Sequence, residues 1–274
     1  MSTKDFLKKI KDEDIEYVDV RFTDTRGKLQ HVTIVSDLVD EDFVEEGFMF
    51  DGSSIAGWKS IEASDMKLML DTDTAYVDPF YAEKTICVHC SVVEPDTGEA
   101  YERDPRGTAQ KAEAYLKASG IGDVAYMGPE AEFFLFDNVK FSNSINKVSY
   151  EVDASDASWN TDTDYEMGNM GHRPGLKGGY FPVNPTDEAQ DLRAEMLSTM
   201  KRLGMKVDKH HHEVASCQHE LGLIFGTLTE QADELQKYKY VIHNVAHAYG
   251  KSATFMPKPI YGDNGSGMHV NMPL

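Results

Sequence analysis

Alternating apolar and polar positions dominate the first hundred residues. The runs IEYVDVRFTD (15–24) and KLQHVTIVSD (28–37) repeat with period two, are rich in β-branched and aromatic residues, and are joined by a short connection that contains Gly27. This pattern predicts a β-hairpin. The other elements predicted for this part are a helix over 4–12, a helix over 38–46, a Gly/Ser-rich loop over 49–58, and strands near 67–78 and 84–94. Together they predict a small α+β unit made mostly of strands.

The pattern changes to helical spacing near residue 104. The segment 105–120 begins with Pro105, spaces its apolar residues as a helix does, and ends at Gly120. We therefore place a domain boundary there, between domains 1–103 and 104–274. The elements predicted for the second domain are a strand over 124–137, a polar irregular stretch over 140–180, a helix over 187–204, strands over 205–215 and 218–228 around a tight turn, a helix over 228–250, a strand near 253–256 and a glycine-rich terminus.

Composition and charge exclude several classes of partner. The 274 residues include 27 basic and 47 acidic side chains, a formal net charge of −20, so we expect no nucleic-acid binding, which depends on clustered Lys and Arg. No apolar run approaches the roughly 20 residues of a membrane-spanning helix, and residues 1–14 lack the apolar stretch of a secretory signal. We expect a cytoplasmic protein without membrane contact.

The three cysteines are too few for a disulfide framework. This small number also favours a reducing compartment. Cys87 and Cys90 form a C-x-x-C within a predicted strand. Residues three apart on a strand point to opposite faces. We therefore interpret this pair as part of a structural strand rather than as a metal or redox motif.

Two pairs of acidic residues carry the candidate chemistry. Glu130 and Glu132 are two apart on a predicted strand, so both side chains leave the same face. Glu213 ends one strand of the second pair and Glu220 begins the next, with His211 on the face of Glu213. One interpretation is a site for Mg²⁺ or Mn²⁺, which prefer carboxylate oxygen. The other is a solvated sheet face, and the residue pattern alone leaves both open.

Eight segments in chain order resemble the successive signatures of one enzyme family. They are MFDGSS, MGPEAEFFLFD, NMGHRP, KGGYFP, HHHEVA, QHEL, FMPKP and NGSGMH. The family is bacterial type I glutamine synthetase, and the resemblance extends over essentially the whole chain from Glu13 onward. It implies an α+β protein with a β-grasp N-terminal domain, followed by part of a catalytic α+β domain, in subunits that assemble as two stacked hexameric rings. The implied reaction joins ammonia to L-glutamate with ATP, through γ-glutamyl phosphate formed between two metal ions.

The resemblance also implies a role for each residue that matches a family motif. The implied ligands of the first Mg²⁺ or Mn²⁺ are Glu132, Glu213 and Glu220, and those of the second are Glu130 and His269. The implied substrate and catalytic residues are Asn264 and Gly265 for glutamate, Asp208, Phe225 and Asn271 for ATP, and Asp51 with Tyr180 for ammonium. In the family, the loop of Asp51 reaches into the site of the neighbouring subunit. The chain departs from the family at two nucleotide positions, where Asn271 replaces a His or a similar polar residue and Pro273 replaces Ser.

Family members continue well beyond residue 274. The later part carries arginines that bind substrate, one more carboxylate ligand of the second metal, and an acidic residue that closes over the intermediate. We therefore expect an incomplete second metal site and little glutamine synthesis by this chain alone. The alternative is a catalytically inactive truncated homologue that interacts with rings of full-length synthetase.

Overall fold

The computed structural model describes residues 1–159, 166 and 171–273. These residues form two compact units, one of residues 1–125 with 227–236 and one of residues 126–226 with 237–273. The first two residues of the motif NMGHRP, Asn169 and Met170, lie outside the described residues. The expected α+β class is confirmed, and the domain boundary near residue 104 stays a prediction. Within the described part of the chain, no helix has the length and apolar character needed to cross a membrane.

A mixed sheet forms the centre of the first unit. Its strands are β1 (Tyr17–Thr23), β2 (Leu29–Val35), β3 (Phe48–Asp51), β4 (Asp65–Leu70), β5 (Tyr76–Val77) and β6 (Thr85–Val93), and its helices are α1 (Thr3–Asp12), α2 (Glu41–Glu46) and α3 (Pro105–Ser119). The strand order is β2-β1-β6-β4-β3, with β5 also paired to β6. Strands β1 and β6 are parallel, whereas the other pairs are antiparallel. The predicted hairpin is therefore confirmed as β1–β2.

The amphipathic pattern of α1 explains how this helix covers the sheet. Ser2 caps the helix, because its hydroxyl accepts a hydrogen bond from the Asp5 N–H at 3.1 Å. Phe6 and Ile10, one turn apart, are buried and belong to the same apolar cluster as Val18 of β1.

The opposite face of β1 buries charge instead of apolar side chains. Arg21 donates from Nε to Asp19 at 2.6 Å, from one terminal nitrogen to Asp78 at 3.0 Å, and from the other to the Tyr76 hydroxyl at 2.6 Å. Burial raises the pKa of Asp19, but hydrogen bonds from Thr33, His31 and Arg21 more than offset it, so the pKa is lowered. The carboxylate therefore stays ionised within the sheet.

The C-x-x-C motif lies on the buried central strand of this sheet, as predicted. Cys87 and Cys90 are both on β6, and both are buried and free. Burial raises the pKa of each thiol. The motif is structural.

Arg106 connects α3 with the sheet and with the first turns of a later helix, Leu228–Ala248. Its guanidinium donates to Asp233 at 2.9 Å, to Asp71 at 2.5 Å and to the Ser91 hydroxyl at 2.8 Å. Asp104 caps α3 and accepts from the Arg106 N–H at 3.0 Å. The start of this helix is therefore held both by its cap and by the contacts of the Arg106 guanidinium.

Strand β7 is the axis of the second unit. The elements after α3 are β7 (Tyr126–Phe136), β8 (Asn138–Ser144), β9 (Lys147–Asp153), α4 (Gln190–Arg202), β10 (Val207–His212), β11 (Gln218–Leu223), β12 (Gly226–Thr227), α5 (Leu228–Ala248), β13 (Ser252–Thr254) and β14 (Met268–Asn271). The sheet order is β10-β11-β7-β12, and β13 and β14 also pair with β7. Every candidate residue of the second unit lies on this sheet or on a segment beside it.

Four sequence-based predictions of secondary structure were wrong in part. The stretch 140–180 begins with the hairpin β8–β9, whose side chains are mostly exposed and polar, so the period-two signal is weak. The strand predicted over 67–78 ends at Leu70, because Asp71 starts a 3₁₀ turn by accepting from the Asp73 N–H. The loop 49–58 begins as β3, and the glycine-rich terminus contains β14. The last two strands are short and are held by pairing with longer neighbours.

We predict that replacing Arg21 by leucine destabilises the chain by about 3–5 kcal/mol, because Asp19 and Asp78 would stay buried without their cation. The measurement is urea unfolding. Arg26→Leu is the matched control, since Arg26 lies exposed in the β1–β2 turn, and its midpoint should match that of the wild type. Equal midpoints for the two variants would contradict this account of the sheet.

Candidate metal centre

Glu132 is at the middle of a row of polar residues that crosses three strands. Glu132 on β7 lies directly opposite Glu220 on β11, and Glu220 lies directly opposite His211 on β10. Directly opposed residues of antiparallel strands place their side chains on the same face of the sheet. Two carboxylates and one imidazole therefore share that face.

A second pair lies two residues earlier on β7. Glu130 is directly opposite His269 on β14. The period of two puts Glu130 on the same face as Glu132. The sheet thus brings Glu130 and His269 together beside the first row, as their shared assignment to one metal requires.

Glu213 joins the row from the residue after β10. Its Oε1 lies 3.5 Å from His211 Nδ1, and His211 Nε2 lies 4.0 Å from Glu220 Oε2. One donor atom from each of the three residues lies within 4.8 Å of the others. The family resemblance implies no role for His211. Its position on the same strand face as Glu213 is the feature of the sequence that indicates one.

The end of β10 also positions Tyr180. The Gly179 N–H donates to the Val214 carbonyl at 2.9 Å, and a Cβ at Gly179 would lie only 2.5 Å from the Glu213 carbonyl oxygen. Only glycine allows this approach. The Tyr180 ring, which is half exposed, lies edge-on to His211 with ring centroids 5.8 Å apart.

The carboxylates repel one another and are partly desolvated. Burial raises the pKa of Glu220 to about 7, with further contributions from Glu213, Glu130 and Glu132. Burial also raises the pKa of Glu132, and the charge of Glu213 adds to the effect. Across residues 1–159 and 171–273, no lysine or arginine forms an ion pair with any of the four glutamates.

These residues fit a hard divalent cation. Carboxylate oxygens are the ligands that Mg²⁺ and Mn²⁺ prefer, and Mn²⁺ also accepts imidazole. Gly267 leaves open the space between the two groups of ligands, since a Cβ there would lie 2.7 Å from Glu132 Oε1 and 3.2 Å from His269 Nε2. The excess negative charge and the open space both favour cation binding over the solvated-face interpretation.

The loop of Asn264 and Gly265 is tied to the β10–β11 turn. Asp263, which is fully buried, accepts from the Ser216 N–H at 3.1 Å through Oδ2 and from the Asn264 N–H at 3.0 Å through Oδ1. A side chain at Gly265 would overlap the Pro257 carbonyl oxygen. The two residues expected to contact glutamate therefore sit on a constrained loop beside the carboxylates.

Two of the three residues expected to bind the nucleotide lie next to Gly128 of β7. A Cβ at Gly128 would be 3.5 Å from the Phe225 Cβ and 3.8 Å from the Asn271 Cβ. Phe225 is more than half exposed and packs edge-on against Tyr126, with ring centroids 5.8 Å apart. Asn271 also donates from Nδ2 to Glu130 Oε1 at 3.2 Å. The third residue, Asp208, lies on β10 against Gly222, where any side chain would overlap its carboxylate.

Asp51 is in the other compact unit, at the end of β3. Its carboxylate accepts from the Ser53 hydroxyl at 2.6 Å, from the Ser53 N–H at 2.8 Å and from the Ser54 hydroxyl at 3.1 Å. These bonds lower the pKa of Asp51, with the Ser53 hydroxyl contributing most. The exposed carboxylate is therefore ionised at neutral pH.

The opposite face of the same sheet carries a buried histidine row. His212 donates from Nδ1 to the Glu213 carbonyl at 2.7 Å and from Nε2 to Asp156 at 2.9 Å. Burial lowers the pKa of His212, but Asp156 more than offsets it, so the pKa is raised. His219, directly opposite His212, has its Nδ1 3.1 Å from a terminal nitrogen of Arg193. Because both nitrogens of His212 are occupied, this row is a hydrogen-bonded support rather than a second metal site.

Comparison with known proteins gives matches along the whole chain. Residues 14–95 match the family model described as the beta-grasp domain of glutamine synthetase, and residues 102–274 match the model of its catalytic domain. The chain is 77% identical over 270 residues to a glutamine synthetase of Cereibacter sphaeroides, a match that covers 98% of this chain and 58% of that protein. It is 75% identical over 273 residues to that of Rhodobacter capsulatus, covering 100% of this chain and 62% of that protein. The chain thus spans about six tenths of the length of these relatives.

A solved structure agrees with these matches. The fold superposes on the cryo-EM structure of Plasmodium falciparum glutamine synthetase with a TM-score of 0.92 at 27% identity, covering 99% of this chain and 53% of that chain. The expected β-grasp and catalytic folds are therefore both confirmed.

We predict that Glu220→Gln stabilises the metal-free chain above pH 7. A carboxyl group whose pKa rises from 4.5 to about 7 on folding binds a proton more tightly in the folded state. Stability therefore falls as pH rises between these values, and the loss is complete above about pH 7. The variant lacks this loss and should gain about 1–3 kcal/mol over the wild type at pH 8, with little gain at pH 4.5.

Urea unfolding in a chelating buffer at the two pH values measures this difference. Glu45→Gln on the exposed face of α2 is the matched control and should change nothing. A Glu220→Gln variant less stable than the wild type at pH 8 would show that the carboxylates do not repel one another as described.

Proposed function

The chain belongs to the glutamine synthetase family, and we propose that it forms the divalent-cation and substrate site of a glutamate–ammonia ligase. The observation that carries this proposal is the register of β7, which places Glu132 opposite Glu220 and Glu130 opposite His269 on one sheet face. A general acidic surface would not align its carboxylates with two imidazoles across four strands.

Two cation positions follow from the two groups of ligands. Glu132, Glu213 and Glu220 would hold one Mg²⁺ or Mn²⁺, and Glu130 and His269 would hold the other. When bound, the cations would neutralise the charge between the glutamate carboxylate and the ATP phosphates. Their oxygen-rich ligand sets, and the raised pKa of Glu220 in the absence of metal, support this assignment.

The substrates would be held on both sides of the carboxylates. Asn264 and the backbone at Gly265 would bind L-glutamate, because their loop is fixed beside Glu132 by Asp263. The exposed Phe225 ring and the Asn271 amide would contact ATP, together with Asp208. In this arrangement the glutamate carboxylate attacks the γ-phosphorus of ATP and ADP leaves, which gives γ-glutamyl phosphate.

Ammonia then displaces phosphate from this intermediate. We propose that Asp51 and Tyr180 bind ammonium and that Asp51 takes its proton, because its carboxylate is exposed and ionised. The loop of Asp51 would serve the site of a neighbouring copy, in a homo-oligomer of two stacked hexameric rings. A cytoplasmic location is also proposed, since the cysteines are free and buried, as is typical of proteins in reducing compartments.

The direct test is a titration of the chain with Mn²⁺, in which electron paramagnetic resonance measures the concentration of the free ion. Saturable binding is expected, and Glu132→Gln should weaken it at least about 100-fold because it removes a direct ligand. Glu151→Gln on the exposed hairpin β8–β9 is the matched control and should bind as the wild type does. Absence of saturable binding, or equal binding by Glu132→Gln, would overturn the cation assignment.

Glutamine formation tests the ligase activity separately. The assay follows incorporation of ¹⁵N-ammonium into glutamine in the presence of L-glutamate, ATP and Mg²⁺. A low rate above the protein-free background is expected from the wild type, in line with the little synthesis expected of this chain alone, and Glu132→Gln should give no product above that background. Saturable Mn²⁺ binding without glutamine formation would contradict the activity and favour the alternative of a homologue that acts only by joining rings of a longer relative.

A further inference from the structure

Gln218 is a buried, uncharged residue that lies beside the carboxylates. It is the first residue of β11, directly opposite Phe134 of β7 and two residues before Glu220. We infer that Gln218 is a positioning residue that couples the cation ligand Glu132 to the loop of residues 263–267, which would bind glutamate. The inference rests on the proposed function, because it concerns the same cation and the same substrate loop.

The carboxamide of Gln218 contacts three different parts of the site. Its Oε1 accepts from the Ala215 N–H at 3.0 Å, in the turn between β10 and β11. Its Nε2 donates to Glu132 Oε2 at 2.5 Å and to the Gly265 carbonyl at 2.9 Å. Both amide hydrogens are thus used, and these contacts fix which way the amide group points.

These contacts orient the Glu132 carboxylate. Its Oε2 accepts from Gln218 and also from the Gly267 N–H at 2.8 Å. The other oxygen, Oε1, faces the open space at Gly267 that a side chain would fill. A carboxylate held through one oxygen presents the other to a cation in a fixed direction. Hydrogen-bond partners of metal ligands in other proteins orient those ligands in the same way.

The same nitrogen connects this carboxylate to the substrate loop. Because one Nε2 bonds to both Glu132 and the Gly265 carbonyl, a shift of the carboxylate towards a cation changes the hydrogen bond to the loop. Cation binding should therefore alter the order of the loop, and by reciprocity a ligand on the loop should alter cation affinity. An apolar side chain of similar size would fill the space but would break this connection.

A residue that only filled space would not need the hydrogen bonds that the Gln218 carboxamide forms. Gln218 has an exposed fraction of 1%, and an amide is costly to bury unless its hydrogen bonds are made. The two donor bonds go to a proposed metal ligand and to the backbone of a proposed substrate residue. The positioning role accounts for both destinations.

The test compares the wild type with Gln218→Met, which keeps the volume, and Gln218→Asn, which keeps the amide on a shorter side chain. Gln190→Met, at the exposed start of α4 in the same unit, is the matched control. Two quantities are measured on each protein: the Kd for Mn²⁺ and the amide hydrogen exchange of residues 263–267 with and without Mn²⁺. Urea unfolding identifies any variant that does not fold.

Both Gln218 variants are expected to weaken Mn²⁺ binding about 10–100-fold. They should also lose the Mn²⁺-dependent slowing of exchange at residues 263–267, which the wild type and Gln190→Met should retain. Gln218→Asn, which buries no new apolar group, keeps the test valid if Gln218→Met fails to fold. Saturable binding in all four proteins with equal Kd values and equal slowing of exchange would overturn this inference alone. Absence of saturable binding in the wild type would overturn the proposed function and the inference together.

Discussion

Crowding of carboxylates on one face of β7 is the constraint on which the rest of the second unit depends. Glu130, Glu132 and Glu220 are brought together by strand register, and Glu213 is added from the adjoining turn. Burial and mutual repulsion raise the pKa of Glu220 to about 7. A fold that keeps such groups together without a countercharge lowers its own stability, which is a common property of binding sites that are shaped for a cation.

The opposite face of the sheet stabilises this arrangement. His212, which follows His211 along β10, points away from the carboxylates and forms a buried pair with Asp156. The backbone of Cys217 also donates to Asp156 at 3.2 Å, so one carboxylate holds both ends of the turn that carries Glu213. On the face of the carboxylates, further along β7, Phe134 and Phe136 form one buried apolar cluster with Ala215 and Cys217 of the same turn. The glutamates therefore project from a backbone that cannot easily move them apart.

Much of this site was predictable from local patterns, and the remainder required pairing between distant strands. The spacing of Glu130 and Glu132 fixed their shared face, because strand side chains alternate. The glycine-rich terminus gave no sign of β14, since that short strand is ordered by β7 and not by its own composition. The contacts of Gln218 were invisible for the same reason: Glu132 is 86 positions away and Gly265 is 47 positions away along the chain. The order of the motifs indicated the family, whereas the contacts between distant residues are visible only in the folded structure.

The central claim is that strand register creates two adjacent cation positions. Anomalous X-ray diffraction from crystals grown with Mn²⁺ tests it most directly, because it locates the ion without reference to activity. The account predicts one peak in contact with carboxylate oxygens of Glu132, Glu213 and Glu220, and a second beside Glu130 and His269. Peaks confined to other surfaces, with these side chains turned towards solvent, would contradict it.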